Sequence, residues 1–396
     1  MTRLWEKGAP LDQRVLAFTA GEDHALDDRL VVHDVRASIA HAEGLHAAGL
    51  LAANELAVIS AALTDIGAAH VRGEWRVELS DEDGQSALEA HLTAKIGASG
   101  GRIHLGRSRN DQVLAAIRLY MGAATTELGS GIQAVVAALE ELGDRHANVT
   151  LPGYTHMQQA MPSSVVLWAG GFAAELRDDA EGMRLARRRI DKNPLGSAAG
   201  YGTPGLVLDR DETRRRLGFA SNHQPVTAVQ LSRGKAEATL LLEVALLMTD
   251  LGRLASDLLL FYTQEFAYVA LPDAFTTGSS IMPQKRNPDV FELIRGRSST
   301  AQACLTETLS LIGKLSSGYH RDLQLLKAPL FRGIDLASQT LDIIPAALGG
   351  VRFRPENIHL DPSIHAAERA NRLVVSEGIP FREAYRRVAA ELTGKK

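Results

Sequence analysis

Between Leu240 and Phe261 the apolar residues Leu240, Val244, Leu247, Leu251, Leu254, Leu258 and Phe261 fall at alternating steps of four and three. That spacing keeps one stripe on the same side of an α-helix, so the segment has to lie along near-parallel helical neighbours. Leu241, Leu242, Ala245 and Leu246 widen the apolar surface beyond the stripe, as expected of a helix surrounded by several others. A second stripe runs Leu114, Ile117, Met121, Ala124, Leu128, Gly131, Val135, Ala138, Leu142. Pro162 opens a third helical stretch to about Asp191, and Ser299 to about Leu348 supplies one or two more. Strand signals are sparse, and no regular strand–helix alternation is present. The expectation is a mainly α chain with a central bundle of long helices. The stripes fit a core satisfied within one chain as well as a seam between chains.

A length of 396 residues allows a large core and one to three domains. The glycine-rich stretch Ala98–Gly106 and the pair Gly349–Gly350 divide the chain into 1–105, 106–349 and 350–396. A net charge of −4 gives no general attraction to nucleic acid or an acidic membrane. The runs Arg187–Arg189 and Arg214–Arg216 then read as solvated helix faces. The most apolar segment, Ala236 to Leu260, is interrupted by Glu237, Glu243, Asp250, Arg253 and Asp257, which argues against a membrane span. The N-terminal MTRLWEKGAPLDQRV lacks the apolar stretch of a secretory leader. The single cysteine, Cys304, excludes an intrachain disulfide and fits a reducing compartment. A cytoplasmic protein is expected. Gly200, Gly202 and Gly205 match G-x-G-x-x-G, but Pro204 lies inside the motif and no strand precedes it, so no dinucleotide cofactor is expected. The 13 histidines show no metal-ligand spacing, and no metal is expected either.

Four polar segments interrupt this helical pattern. GSSIMPQKRNP, Gly278–Pro288, places two prolines, a glycine, two hydroxyls, an ammonium, a guanidinium and two amides in one loop. Its composition suits an ordinary surface linker or, with Gly278 opening a backbone nest beside Lys285 and Asn287, an anion-handling loop. HLGRSRNDQ, His104–Gln112, sits immediately before a long helix and fits a helix start with Ser108 or Asn110 near the N-cap. GYTHMQQAMP, Gly153–Pro162, again precedes a helix and carries His156. SGYHRDLQLLK, Ser317–Lys327, spaces Tyr319, Gln324 and Lys327 so that they could face one cleft.

Taken together, these segments resemble a known group of enzymes. GSSIMPQKRNP is similar to the signature of the fumarase, aspartase and argininosuccinate lyase superfamily. HLGRSRNDQ, GYTHMQQA and YHRDLQ, in this order along nearly the whole chain, resemble the argininosuccinate lyase family. Weaker likeness continues in EDGQSALEAHL from Glu82, NPLGSAAG from Asn193 and EGIPFREAY from Glu377. The resemblance implies a three-domain, mainly α, fumarase/aspartase-like fold. It further implies reversible cleavage of argininosuccinate to arginine and fumarate in arginine biosynthesis, without a cofactor. It implies a homotetramer whose active sites draw on three subunits, with the Leu240–Phe261 stripe largely between them.

By the same resemblance Ser279 is the general base and His156 the acid, paired with Glu292, while Lys285 stabilises developing charge; the reverse base and acid assignment is also in use for the family. Asn110, Thr155, Asn287, Tyr319, Gln324 and Lys327 match substrate-binding positions. Several positions depart from the family pattern. Gln85–Ser86 stand in place of a His-Thr pair, and SRGKA, Ser232–Ala236, replaces SDRDF. His320 and Leu325–Leu326 differ near the lysine, and AGEDHALDD from Ala20 offers no serine. The chain also ends soon after FREAY. A divergent subfamily is implied. Two alternatives stand beside it: a sibling lyase acting on another N-substituted aspartate, and a non-catalytic structural protein on the same scaffold.

Overall fold

The computed structural model describes residues 12–393. The stretch read above for a leader lies, up to Leu11, outside the described residues. Five long helices dominate: Arg109–Arg145, Val165–Ile190, Lys235–Tyr262, Asp289–Ile312 and Lys327–Gly350. The mainly α expectation holds. The chain divides into two compact units, and each of the five helices contributes residues to both.

The first unit comprises residues up to Leu128, Gly182–Val244 and Ala301–Asp335. Its N-terminal core is built by the helices Val31–Ala47, Ala53–Val71 and Gly84–Ile96, which bury Val35, Leu45, Ile59, Leu63, Leu88 and Leu92 against one another. Two of the helix starts in this unit have a clear local cause. Asp83 caps the Gly84–Ile96 helix by accepting the N–H of Ser86 at 2.8 Å. Ser108 caps the Arg109–Arg145 helix: its Oγ accepts the N–H of Asn110, and Asp111 Oδ1 accepts the N–H of Ser108 in return. Asp111 Oδ2 also accepts the N–H groups of Gly196 and Ala198, tying the NPLGSAAG loop to the same helix start. The arginine runs are partly engaged. Arg187 donates to the carbonyl of Gly122, while Arg214, Arg215 and Arg216 pair with Asp211, Glu212 and Glu43.

The second unit comprises Gly129–Glu181, Ala245–Thr300 and the residues from Leu336 onward. The strands Thr150–Thr155 and Gln158–Ser164 form an antiparallel hairpin there, joined by the two residues His156 and Met157. Pro162 pairs with Pro152 inside this hairpin, so the following helix begins only at Val165. The short helices Ala366–Glu377 and Phe381–Thr393 close on Ala370, Ala384 and Val388.

One expectation needs correction. Leu240, Val244, Leu247, Leu251, Leu254, Leu258 and Phe261 are all buried within the single chain, so this stripe is not held in reserve for neighbouring subunits. The large apolar residues of the same helix that face out are Leu242 and Leu246, 43% and 49% exposed. Heptad spacing identifies an apolar face, and neighbouring segments of this chain already cover it.

Candidate active site

In the first unit a short 3-10 turn, Arg321–Leu326, and the start of the Lys327–Gly350 helix face the N-cap region of the Arg109–Arg145 helix. The result is one polar pocket lined by Asn110, Tyr319, Gln324 and Lys327, together with Asp23, Glu82, Asp83, Gln85, Arg109, Arg233 and Arg321. Four sequence candidates thus meet in one place. Gln324 is fixed at both ends, its Nε2 donating to the Thr19 carbonyl and its Oε1 accepting from Arg321. Arg321 reaches Glu82 at 2.8 Å, and Arg109 reaches Asp83 at 2.6 Å. Glu82 holds φ at 75°, a left-handed conformation that costs a non-glycine residue about 1–3 kcal/mol. That strain aims its carboxylate at the two arginines.

Lys327 is buried and pairs with both Asp23, at 2.9 Å, and Asp27. These two aspartates are the first and last residues of the short helix Asp23–Asp27, and an i, i+4 spacing puts both on one face. Asp27 also accepts the N–H of Gly84. Burial works to lower the Lys327 pKa, but attraction to Asp27 and Asp23 outweighs it and the pKa is raised. Asp23 is pushed up to about 6 by burial, against the pull of Lys327 and with Asp27 and Asp83 adding to the rise. Behind the pocket lies a buried polar layer. Gln112 donates to both oxygens of Asp34 at 3.1 Å, and Arg107 donates to Ser38 at 2.7 Å.

The remaining candidates lie in the second unit. Thr155 ends the first strand of the hairpin, and His156 and Met157 form its tip with φ of 51° and 61°. Positive φ at both central residues is the signature of a type I′ turn. The hairpin is anchored through Gln159, whose side chain bonds the His359 carbonyl and the Asp361 N–H. His156 projects into solvent from that tip, exposed. The segment Gly278–Pro288 forms a loop closed at its base, where Thr277 and Asn287 exchange backbone hydrogen bonds of 3.0 and 2.8 Å. Asn287 also donates its side-chain amide to Thr277 and to the Gly278 carbonyl. Ser279 Oγ accepts the N–H groups of Ile281 and Met282 at 3.4 and 3.2 Å. The expected nest opened by Gly278 takes another form: Gly278 is not among the residues of positive φ, and two of the loop N–H groups serve the serine oxygen. Lys285 is exposed, as is Glu292 in the first turn of the Asp289–Ile312 helix. Among the described residues no hydrogen bond or ion pair joins His156 to Glu292 or to Ser279.

Eight further residues shape the pocket without having been assigned a role from sequence: Asp23, Asp27, Glu82, Asp83, Arg109, Val113, Arg233 and Arg321. The one local signal available was the i, i+4 pair of aspartates in Asp23–Asp27. Among the described residues no helix is long and apolar enough to cross a membrane.

The long-helix scaffold that carries these segments is that of a class of lyase. The family model described as Lyase matches residues 7–303. Among solved structures, EDDS lyase in complex with formate is similar at a TM-score of 0.81 and 25% identity, covering 98% of this chain and 78% of that one. A class II fumarase from Schistosoma mansoni, at 17% identity and a TM-score of 0.79, shares the fold over 98% of this chain and 91% of its own. The fumarase/aspartase-like fold expected from sequence is therefore present. Among curated relatives, an argininosuccinate lyase of Sorangium cellulosum is 47% identical over 98% of this chain and 90% of its own length. Another, of Parabacteroides distasonis, is 40% identical over the whole chain and 88% of its own length. The chain belongs to the argininosuccinate lyase family.

Proposed function

We propose that the chain catalyses the reversible elimination of argininosuccinate to L-arginine and fumarate, in arginine biosynthesis and in the cytoplasm. The observation that carries this is the 47% identity over 98% of the chain to a relative bearing that name. Ser279, His156 and Lys285 all stand at their motif positions. The three-domain division at 1–105, 106–349 and 350–396 belongs to the same reading.

The reaction removes a proton from the carbon next to a carboxylate and expels the guanidino nitrogen from the neighbouring carbon. Ser279 Oγ takes the proton, and the C–H electron pair moves into the carboxylate to form a dianionic aci-carboxylate. Collapse of that intermediate forms the C=C bond of fumarate and breaks the C–N bond, whose electron pair stays on the guanidino nitrogen. His156 supplies the proton that nitrogen needs, and Glu292 orients the imidazole. The two backbone N–H groups directed at Ser279 Oγ support the assignment, because they lower the cost of negative charge on an otherwise weak base. Lys285, Asn287 and Thr155 hold the succinyl end, while Asn110, Tyr319, Gln324 and Lys327 hold the arginine end.

The active unit in this reading is a homotetramer in which each site takes its parts from three chains. Two features support it. Ser279 and His156 are not bonded to each other within one chain, although both belong to its second unit. Leu167, Leu185, Leu242, Leu246, Leu293 and Leu309 are all more than two-fifths exposed on three long helices. An apolar exposure of that kind marks surface that another chain covers. The test is an assay of purified protein with argininosuccinate, following fumarate absorbance and arginine together. Argininosuccinate should be consumed far faster than adenylosuccinate, aspartate or malate. Preference for any of those three would assign the chain to a different lyase.

A further inference from the structure

Arg233 lines the pocket of the first unit and is only 3% exposed, yet its Nε and Nη1 have no hydrogen-bond partner. Its guanidinium lies over the Tyr319 ring, 5.3 Å from the centroid. Among the described residues no carboxylate lies within ion-pair distance of it. Burying a charge without a counter-charge is costly, by several kcal/mol. Such a group persists where an anion arrives from outside.

The other cations of the pocket are already answered. Arg109 has Asp83, Arg321 has Glu82, and Lys327 has both Asp23 and Asp27. The lining thus contains one guanidinium with no partner, and its carboxylate Asp23 shares a single ammonium with Asp27 behind it. Asp27 is fully buried and also holds the N–H of Gly84, whereas Asp23 lines the pocket itself. Gln85, on the same lining, turns its amide toward the buried Asp34 carboxylate and so adds no free cation to the pocket. A neutral ligand would leave all of these unmatched, and a simple dianion would repel Asp23. A ligand carrying one carboxylate and one ammonium close together satisfies both ends.

We propose that Arg233 and Asp23 form an amino-acid clamp, Arg233 taking the α-carboxylate and Asp23 the α-ammonium of the substrate's amino-acid end. This rests on the argininosuccinate reading and adds to it two specificity-determining residues. With a pKa near 6, Asp23 is mostly ionised at neutral pH and available for a second cation. Gly234, at φ 77°, turns the chain between Arg233 and the Lys235–Tyr262 helix and so fixes where the guanidinium enters.

The reverse reaction tests the clamp, with fumarate and one of three guanidines: arginine, agmatine, which lacks the carboxylate, or 5-guanidinopentanoate, which lacks the amine. The wild-type enzyme should prefer arginine strongly. Arg233→Met should lower kcat/KM for arginine by roughly 100-fold and change that for agmatine by less than about threefold. Asp23→Asn should show the same selective loss for arginine and leave 5-guanidinopentanoate little changed. Arg233→Lys should restore part of the preference, because the charge returns without the fork. Residual turnover of agmatine by the Arg233 variants, and of 5-guanidinopentanoate by Asp23→Asn, reports that each variant is folded. Equal losses on arginine and agmatine in Arg233→Met, total inactivity included, would overturn the clamp, as would a rise in KM confined to fumarate. A wild-type enzyme that neither cleaves argininosuccinate nor condenses arginine with fumarate would instead overturn the functional reading beneath it.

Discussion

At the scale of single residues, Ser279 and Asp34 show opposite ways of handling negative charge. Ser279 sits in a loop that turns two N–H groups toward its oxygen. Ser279→Ala should leave folding and KM nearly unchanged and lower kcat by at least about 100-fold, the usual minimum for a general base. A variant that keeps more than about a tenth of the wild-type kcat would remove Ser279 from the mechanism. Asp34, by contrast, is fully buried, and burial pushes its carboxyl up to about 6 despite Arg107 and Gln112. Its folded pKa exceeds that of the unfolded chain, so the native state binds the proton more tightly between about pH 4 and pH 6. Stability from this group is therefore present at low pH and lost as pH rises through 6. In urea unfolding, the advantage of wild type over Asp34→Asn should shrink by about 2–3 kcal/mol between pH 4 and pH 7. An advantage that grows over that interval would show that the carboxylate is stabilised in the fold. Lys327 was visible in the sequence because it ends a polar segment at useful spacing. Its partners Asp23 and Asp27 had only their i, i+4 spacing as a local mark, and nothing tied that pair to a counter-charge some 300 residues away.

At the scale of elements, periodicity was legible and turn chemistry was less so. The stripes at 114–142 and 240–261 correspond to the helices Arg109–Arg145 and Lys235–Tyr262, because burial of a face imposes the same spacing on any helix. What the spacing does not carry is the identity of the neighbour, and the Leu240–Phe261 stripe is covered from within the chain. The hairpin that carries His156 escaped notice for a different reason. A two-residue turn of this type usually advertises itself with Asn or Gly, and here its tip is His156 and Met157. Replacing Met157 with glycine should relieve left-handed strain and raise stability by about 1 kcal/mol in thermal unfolding. A fall of that size would mean that the methionine side chain is packed in the assembled protein. Gly234 makes the reverse case. A Cβ there would lie 2.2 Å from Ile312 Cγ2, at a φ of 77°. Gly234→Ala should cost about 2–4 kcal/mol. Adding Ile312→Ala should recover the part due to the clash and leave the part due to the backbone, a partial rescue that a pure packing effect would not give.

For the whole molecule, the division of the candidate residues has a direct experimental signature. His156 and Ser279 are both exposed or half-exposed on the second unit and do not touch in one chain. If each site takes them from different subunits, chains carrying His156→Ala and chains carrying Ser279→Ala are inactive alone. Refolded together in equal amounts, they should regain roughly a quarter of wild-type activity, since each residue is intact with probability one half. Full-size mixed tetramers with no recovered activity would place the pair within one subunit.

The buried contact between Asp27 and Lys327 also bears on how the chain is made. The two residues are 300 positions apart, and at a synthesis rate of about 5–20 residues per second the lysine emerges roughly 15 to 60 s after the aspartates. Over that interval the Asp23–Asp27 turn carries two carboxylates without their cation, and the polar pocket of the first unit has no floor. Closing so long a loop is costly in chain entropy and comes late in assembly. The first helices of the nascent chain can therefore form their own core while the pocket they border waits for the last fifth of the protein to arrive.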